Sequence, residues 1–508
     1  MKRLISSLAV AVFCITASAQ QYIVVNGEVP ILASDVEKIT YGVDDQFEQI
    51  LLPGALALDP KTTIFSQALQ LTGLADTLKT YLYAYPDPSE ERFDFFISTK
   101  LKKNAWPFCR RLKNYTVFAE TDEAYASLGI TNLEQLKAFA KQVYDEAFPE
   151  DAGVTNPKDR RNSLNRFVAY HILKHGSTYW FLTAYDGTYN GSFFQDTDLA
   201  DIAAWYGTLM PHASLKCSYP MAGEESGLYL NRRGLKAGPD KYGQQVRGAK
   251  VVADGEQGFD HECFNGCYFH IDRVLAYDHT TRNEVLGSEL WRVDFKTLTP
   301  EIMSFAKDLR GDFDRYDCDC SDSEGPNTKT GCNYFFRWDR VENIVGDTTR
   351  MAKGFLATRA HQYFYIWQGD EIDIVGDFDM TIKLPALPAG EWEIRMGTTS
   401  AIEKPKVRIY LNGIMTIDSL EMSKNYDETI PNIMRGASEC RVADNHRMSN
   451  DPNFVRYRLG RIETDGKSDN FLRIEMLPSE KGNNYMTQFD YFELVPKAVY
   501  DNQDIPEE

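Results

Sequence analysis

Three aromatic side chains alternate along one short apolar stretch of the sequence. Tyr363, Tyr365 and Trp367 are separated by Phe364 and Ile366, and side chains two residues apart on a β-strand point to the same face of its sheet. If Phe364 and Ile366 face the core, the other three form an exposed strip that can stack on sugar rings. The alternative is that the aromatic trio itself faces the core, because aromatic residues favour strands and protein interiors.

Cysteines and histidines in the middle of the chain offer a second kind of chemistry. Cys263 and Cys267 are flanked by His261 and His270, and thiolate and imidazole are the ligands that zinc prefers. Neither this pair nor the Cys-x-Cys pair at 318–320 has a second Cys/His pair at zinc-finger spacing. Disulfide bonds are therefore the favoured interpretation of the cysteines, and a metal site at the two histidines is the alternative.

Acidic residues are abundant, but their spacing selects no catalytic pair. A glycosidase needs two carboxylates on opposite sides of a cleft, and 74 acidic residues offer many such pairs. Residues 312–324 form an acidic stretch without the spacing of a calcium-binding loop, so a solvated loop is expected, with calcium binding as the alternative. The sequence holds no glycine-rich phosphate loop, nucleophile elbow or His-Glu-x-x-His motif. A binding protein is therefore favoured over an enzyme.

Length and charge narrow the class of protein further. The chain has 508 residues, of which 43% are hydrophobic and 25% charged, an ordinary globular composition. This length predicts two to four domains. Lys and Arg number 55 against 74 Asp and Glu, for a net charge of −19. So acidic a surface repels phosphate backbones and anionic lipids, which argues against nucleic-acid partners and polybasic membrane docking.

Residues 1–19 have the pattern of a signal peptide. Lys2 and Arg3 precede a mostly apolar run at 4–16, and Ala-Ser-Ala follows at 17–19. This run is too short to span a bilayer, and lipoprotein processing at Cys14 is the alternative. Cleavage after residue 19 leaves eight of the nine cysteines, an even number that favours disulfides in an oxidising compartment. The mature chain, without an integral membrane span, is expected in the periplasm, at the outer cell surface or in the medium.

Helix and strand signals alternate through the first half of the chain. Residues 63–71 have helical spacing, and Gly73 follows as a C-cap. A buried strand at 115–119 precedes a helix that Thr121 or Asp122 can cap. Two further amphipathic helices are predicted at 132–148 and 163–174, the first with Asn132 as its N-cap, and a closing strand follows at 268–275.

These segments, in this order, resemble a known family. Residues 63–78, 115–128, 167–173 and 248–275 are similar to the successive signature motifs of the fasciclin (FAS1) domain. The chain departs from the family in two apparent insertions, 149–162 and 175–212, and Glu120 stands where proline is common. The resemblance implies an α+β FAS1-like domain over residues 62–280. A hairpin segment at 20–61 is expected to lead into it, because residues 22–25 and 29–32 have strand-like patterns on either side of an Asn-Gly turn at 26–27.

The family resemblance also implies a function. FAS1 domains are mostly adhesion or protein- and polymer-binding modules, with the Tyr-His motif as part of the recognition surface, so Tyr170 and His171 become candidate binding residues. Their neighbours at 167–173 are otherwise apolar. The nucleophile and orienting acid that a catalytic triad requires are not identifiable, so a buried, hydrogen-bonded His171 is expected rather than a catalytic base.

The second half has a different pattern, of short alternating strands separated by turns. Asn412-Gly413 is a hairpin signal, and the repetition favours a β-sandwich over residues 281–498, before an acidic tail at 499–508. Segments 378–385, 390–395 and 489–496 resemble jelly-roll domains of the galactose-binding and carbohydrate-binding-module type.

Taken together, the sequence predicts an α+β protein, with a FAS1 domain of mixed sheets and helices followed by an all-β jelly-roll-like sandwich. The leading interpretation is a non-catalytic adhesion or binding protein that recognises a polysaccharide, a glycoprotein or a surface protein. The candidate binding residues are Tyr363, Tyr365, Trp367, Tyr170 and His171. A carbohydrate-active enzyme with catalytic carboxylates in the β domain, and a structural scaffold for exported assemblies, are the alternatives. No catalytic residue, metal site or cofactor is assigned.

Overall fold

A computed structural model describes most of the helices and strands. The described residues are 22–23, 31–32, 45–81, 113–182, 201–220, 226–233, 246–255, 258–306, 333–338, 341–351, 355–360, 370–399, 404–423, 439–441, 454–478 and 486–501. Residues 1–48 form one compact unit and residues 49–508 a second. In the first unit, β1 (Tyr22–Ile23) and β2 (Ile31–Leu32) pair antiparallel, as the hairpin pattern predicts.

Most helices begin and end where the sequence signals place them. The helix predicted at 163–174 is an exception: it ends at Tyr170, because Ile172 and Leu173 pair with the strand at 115–120 instead. The side chains of Thr121 and Asn132 accept hydrogen bonds from the backbone N–H groups of Ala124 and Gln135, at 3.1 and 3.0 Å. Gly73, just beyond a helix end, has φ of +69°, a conformation that glycine adopts without strain. The helices are α1 (Asp45–Ile50), α2 (Leu52–Leu58), α3 (Thr63–Leu71), α4 (Leu74–Leu78), α5 (Asp122–Ala126), α6 (Leu133–Ala147), α7 (Ser163–Tyr170), α8 (Tyr179–Leu182), α9 (Pro300–Ala306) and α10 (Lys497–Tyr500). Short 3₁₀ helices lie at Pro149–Asp151 and Phe295–Leu298, and a π-helical segment lies at Thr280–Leu286.

An eight-stranded sheet organises the first half of the second unit. Its order is β4-β3-β10-β8-β7-β6-β5, with β9 paired to β10. The strands are β3 (Tyr115–Glu120), β4 (Ile172–Leu173), β5 (Asp201–Gly207), β6 (Ser214–Pro220), β7 (Tyr229–Leu230), β8 (Ala249–Val252), β9 (His261–Cys263) and β10 (Gly266–Ile271). β3 and β10 run parallel, and Phe118 stacks on Phe269 between them at a centroid distance of 5.6 Å.

Three antiparallel sheets build the second half. Their orders are β11-β24-β17-β21-β20, β12-β14-β15-β23 and β13-β16-β22-β18-β19. The strands are β11 (Trp291–Asp294), β12 (Asn333–Arg337), β13 (Ile344–Gly346), β14 (Phe355–Ala360), β15 (Asp370–Val375), β16 (Asp379–Lys383), β17 (Gly390–Thr399), β18 (Lys406–Leu411), β19 (Ile414–Glu421), β20 (Glu439–Arg441), β21 (Phe454–Thr464), β22 (Phe471–Met476), β23 (Met486–Phe489) and β24 (Tyr491–Pro496). The predicted α+β class with a β-sandwich agrees with this architecture.

Tryptophans connect the eight-stranded sheet to the sandwich. Trp205 of β5 stacks on Trp291 of β11 at 5.8 Å, and Trp291 meets Trp392 of β17 edge to face at 5.5 Å. Such aromatic pairs add stabilisation beyond the area they bury. The predicted boundary at residue 280 stays a prediction. Among the described helices, none combines the length and the apolarity needed to cross a membrane.

A buried carboxyl group in α9 makes stability depend on pH. Glu301 of α9 is 9% exposed; its Oε1 accepts a hydrogen bond from the backbone N–H of Glu342 at 3.1 Å, while its Oε2 has no hydrogen-bond partner. Burial raises the pKa of Glu301 to about 7.

Because this folded-state pKa lies above the ordinary value of 4.5, the folded protein holds the extra proton between about pH 4.5 and 7. The free energy of unfolding should therefore fall as pH rises through this window, by about 3 kcal/mol from this group. Glu301→Gln should remove that slope in denaturant titrations at pH 5 and pH 8. Glu134→Gln, at a carboxylate whose side chain is 79% exposed, is the control. An unchanged slope in Glu301→Gln would contradict the assignment.

Candidate functional site

One outer sheet face of the sandwich carries a continuous set of polar side chains. In β16, β18 and β22 buried and half-exposed residues alternate, because successive side chains point to opposite faces. Cross-strand pairing places Tyr410 beside Arg473, and Glu475 between Arg408 and Asp379. We call this set, with the adjoining Arg350 and Asp377, the outer face.

The side chains of the outer face hold each other in position. Arg473 donates two hydrogen bonds to Asp379, from Nε at 2.8 Å and from a terminal nitrogen at 2.7 Å. The Arg473 guanidinium also lies over the Tyr410 ring, 4.6 Å from its centroid. Tyr410 Oη donates to Glu475 Oε2 at 3.0 Å. These contacts orient planar groups that remain partly exposed, since the Arg473 side chain keeps 40% of its surface accessible.

Two more arginines extend the network. Arg408 donates from Nε to Asp418 at 3.0 Å and reaches Glu475 at 3.4 Å. Arg350 donates from Nε to Asp377 at 3.0 Å and lies 3.6 Å from Glu475. Hydrogen bonds to Asp379 raise the pKa of Arg473, and those to Asp377 raise the pKa of Arg350. The arginines are therefore permanently charged, and each is balanced by neighbouring carboxylates.

An apolar margin borders this polar surface. Met415 forms this margin, because it lies opposite Tyr410 and is 51% exposed, whereas Ile414 is paired with the buried Leu411. The Asn412-Gly413 turn, with φ of +48° and +79°, joins β18 to β19 as the hairpin signal predicts.

Such a surface suits a ligand rich in hydroxyl groups. Hydroxyls both donate and accept hydrogen bonds, and the outer face presents guanidinium donors and carboxylate acceptors side by side. The guanidinium and carboxylate groups would orient the ligand, while the Tyr410 ring and the apolar margin would provide contact area. Ligand sites usually combine these two kinds of contact.

Tyr170 and His171, the candidate residues from the Tyr-His motif, lie inside the protein. Both are 0% exposed. Tyr170 Oη donates to the Ser214 carbonyl at 3.1 Å and accepts from Asn231 at 3.0 Å. His171 Nε2 contacts Glu120 Oε1 at 2.6 Å. His171 is thus the buried, hydrogen-bonded histidine that the apolar motif predicts, and this position does not favour direct contact of either side chain with a ligand.

The other candidate binding residues lie outside the described residues. Tyr363, Tyr365 and Trp367 fall within residues 361–369, which join β14 to β15, and the acidic stretch 312–324 is also outside. Ala360 and Asp370, the described residues on either side of 361–369, are cross-strand partners. Binding by the aromatic trio stays a prediction.

Three of the nine cysteines are described with their side chains, and all three are free: Cys217, Cys263 and Cys267. Cys263 is paired with Gly266 in the β9–β10 hairpin. Because neighbouring residues on a strand point to opposite faces, Cys263 and Cys267 lie on opposite faces of that hairpin. The expected pairing is thus absent at these positions, and burial raises the pKa of the Cys263 thiol to about 12.

Comparisons with known proteins identify only partial structural similarities. No protein-family model matches the sequence, and no curated protein matches it significantly. A family 35 carbohydrate binding module from Clostridium thermocellum aligns with 33% of this chain and 99% of its own, at 8% identity and a TM-score of 0.17. The CBM35 from Paenibacillus barcinonensis aligns with 33% of this chain and 100% of its own, at 10% identity and a TM-score of 0.18.

A larger enzyme shows a likeness of the same low level. The chain spans 14% of the length of a Paenibacillus xanthan lyase, which covers 35% of this chain at 9% identity and a TM-score of 0.22. TM-scores this low do not define a function, so the function of this chain must be inferred from its own residues.

Proposed function

We propose that the chain is an exported, non-catalytic binding protein whose sandwich domain recognises a polysaccharide, either free or carried by a surface glycoprotein. The proposed address is the periplasm, the outer cell surface or the medium. The first domain, proposed to be fasciclin-like, would serve adhesion to a neighbouring protein or polymer.

The outer face is the observation that carries this proposal. Its arginines and carboxylates compensate each other, so the surface offers both donors and acceptors. An anionic ligand would be bound better by a surface that has more arginines than carboxylates. A neutral, hydroxyl-rich polysaccharide is therefore the ligand class that this surface supports best.

The fasciclin-like first domain is supported by contacts among the four motif segments. β3 from the second segment pairs in parallel with β10 from the fourth, and β4, which includes the end of the third, pairs with β3. The His171 ring of the third segment lies 5.4 Å from the Phe65 ring of the first, centroid to centroid. Sequence motifs that belong to a single domain are expected to contact each other in this way.

Affinity electrophoresis in gels that contain single polysaccharides tests where binding occurs. We expect the purified chain to be retarded by at least one neutral polysaccharide. Arg473→Ala and Tyr410→Ala should each weaken this binding by about tenfold or more, equivalent to about 1.4 kcal/mol. Arg161→Ala, which removes another exposed arginine from an Arg–Asp pair in the first domain, should have no effect.

The same gels test the aromatic trio as the alternative binding site, and they also test the alternative functions. Loss of retardation in Tyr365→Ala/Trp367→Ala, with Arg473→Ala and Tyr410→Ala behaving as wild type, would move the site to the aromatic trio. Shortened polysaccharide after incubation with the chain would instead support the carbohydrate-active enzyme. Capture of another exported protein without any glycan affinity would support the scaffold.

A further inference from the structure

A compact group of ligating side chains lies on one face of the β9–β10 hairpin. His261 of β9 is paired with Tyr268 of β10, and His270 follows Tyr268 by two residues, so all three side chains share a face. Asp254 comes two residues after Val252, which is the β8 partner of His270. The fold thus brings two imidazoles and one carboxylate together from three neighbouring segments.

The distances within this group are close to those of a metal site. Asp254 Oδ2 lies 3.9 Å from His270 Nδ1 and 4.0 Å from His261 Nε2. Ligand atoms of the three residues all lie within 4.8 Å of one another. Zinc–ligand distances of about 2.0–2.2 Å put tetrahedral ligand atoms about 3.3–3.5 Å apart, so the two distances from Asp254 to the histidines exceed the zinc geometry by about half an ångström.

His270 is held in the orientation that a ligand needs. Its Nε2 donates to Asp59 Oδ2 at 2.6 Å, because a carboxylate can only accept. Asp59 is fixed in turn by Tyr268 Oη at 3.0 Å and by the backbone N–H of Lys61 at 2.9 Å. Nδ1 of His270 is left facing Asp254. A carboxylate behind a histidine is the usual outer shell of a metal-binding imidazole.

His261 supplies a second, independent observation. Its side chain is only 10% exposed, and its Nε2 is buried without a hydrogen-bond partner while facing Asp254. An unsatisfied buried nitrogen costs free energy, and a bound cation would remove that cost.

We propose that Asp254, His261 and His270 bind a divalent transition-metal ion of the zinc class. Two imidazole nitrogens and one carboxylate oxygen are a common zinc set, and three protein ligands leave one position open. Lys61, whose ammonium group contacts the other oxygen of Asp254, would keep that carboxylate monodentate. This site is independent of the glycan-binding outer face.

Zinc chloride titrated calorimetrically into the chelator-treated chain tests the proposal. We expect one equivalent to bind, and His261→Ala to weaken binding by about 100-fold or more, beyond the loss of an outer-shell partner. Asp59→Asn should weaken it by about 10–100-fold. Lys61→Gln should strengthen zinc binding, because it removes a half-exposed positive charge that repels the metal ion. His212→Ala, at a histidine paired with Asp469 elsewhere, should bind as wild type.

Zinc should also raise the melting temperature of the wild type but not of His261→Ala, since only a ligand bound to the folded state stabilises it. Asp254→Asn provides the same test should His261→Ala fail to fold. Absence of zinc binding by the wild type, or equal affinity in the wild type and His261→Ala or Asp254→Asn, would overturn the proposal.

Discussion

Glu493→Gln is expected to destabilise the protein by about 3–5 kcal/mol, the usual cost of breaking a buried ion pair from one side. Glu493 on β24 is 0% exposed. Its Oε1 accepts hydrogen bonds from Arg292 at 2.9 and 3.0 Å and from Arg456 at 3.0 Å, and Arg395 lies 3.6 Å from its Oε2. The amide would leave these buried guanidinium groups without their shared negative charge.

The same carboxylate predicts a loss of stability in acid. Burial by itself would raise the pKa of Glu493, but Arg456, Arg292 and Arg395 together lower it to about 2. Because this lies below the ordinary value of 4.5, the stabilisation is complete above about pH 4.5 and is lost as pH falls towards 2. The wild type should therefore lose more stability than Glu493→Gln between pH 5 and pH 3.

Denaturant unfolding at each pH is the measurement for both effects. Glu391→Gln on the adjacent strand β17 is the matched control, because Glu391 pairs with Lys497 at the surface and such pairs contribute about 0–1 kcal/mol. Equal destabilisation by Glu493→Gln and Glu391→Gln would contradict the claim that the buried ion pairs of Glu493 stabilise the fold more than a surface ion pair does.

Glu120→Ala is the second substitution with a large expected effect. The Glu120 carboxylate is 0% exposed and accepts hydrogen bonds from Tyr125 Oη at 2.9 Å and from the backbone N–H of Leu275 at 3.0 Å. It also contacts His171 Nε2 at 2.6 Å. Removing it leaves three buried groups without their acceptor, which should lower the free energy of unfolding by about 3–5 kcal/mol.

A double-mutant cycle with His171→Ala isolates the central contact. Residues in one hydrogen-bond network are coupled by about 0.5–3 kcal/mol, so the double variant should be less destabilised than the sum of the two single variants. Glu123→Ala, at an exposed position three residues away, should change stability by about 0.5 kcal/mol or less. Strict additivity of Glu120→Ala and His171→Ala would show that the two side chains do not act together.

Local signals in the sequence predicted much of the local structure. The caps at Thr121 and Asn132 and the turns at Gly73 and Asn412-Gly413 depend on neighbouring residues, and all occur where the pattern places them. Glu120 is different. Its place in the fasciclin pattern marked a departure, but its partner His171 is 51 residues away, and no local rule joins the two.

The proposed binding site on the outer face could not be predicted from the sequence alone. Alternation in 406–411 and 471–476 indicates that Arg408 and Tyr410, or Arg473 and Glu475, share a face of their own strands. Which strands are neighbours depends on the order of the sheet, and Arg473 meets Asp379 across 94 residues of sequence. Around the proposed metal site, the sequence drew attention to His261 and His270 because they flank a cysteine pair, whereas Asp59, which orients His270, lies 211 residues away from it.

A glycan array probed with the purified chain tests the central claim, polysaccharide recognition, most directly. We expect specific binding to one structural class of neutral, hydroxyl-rich glycans, and loss of that signal in the Arg473→Ala/Tyr410→Ala double variant with an unchanged melting temperature. A blank array, obtained with wild-type protein that unfolds cooperatively, would contradict glycan recognition. The function would then have to be sought among protein partners of the first domain.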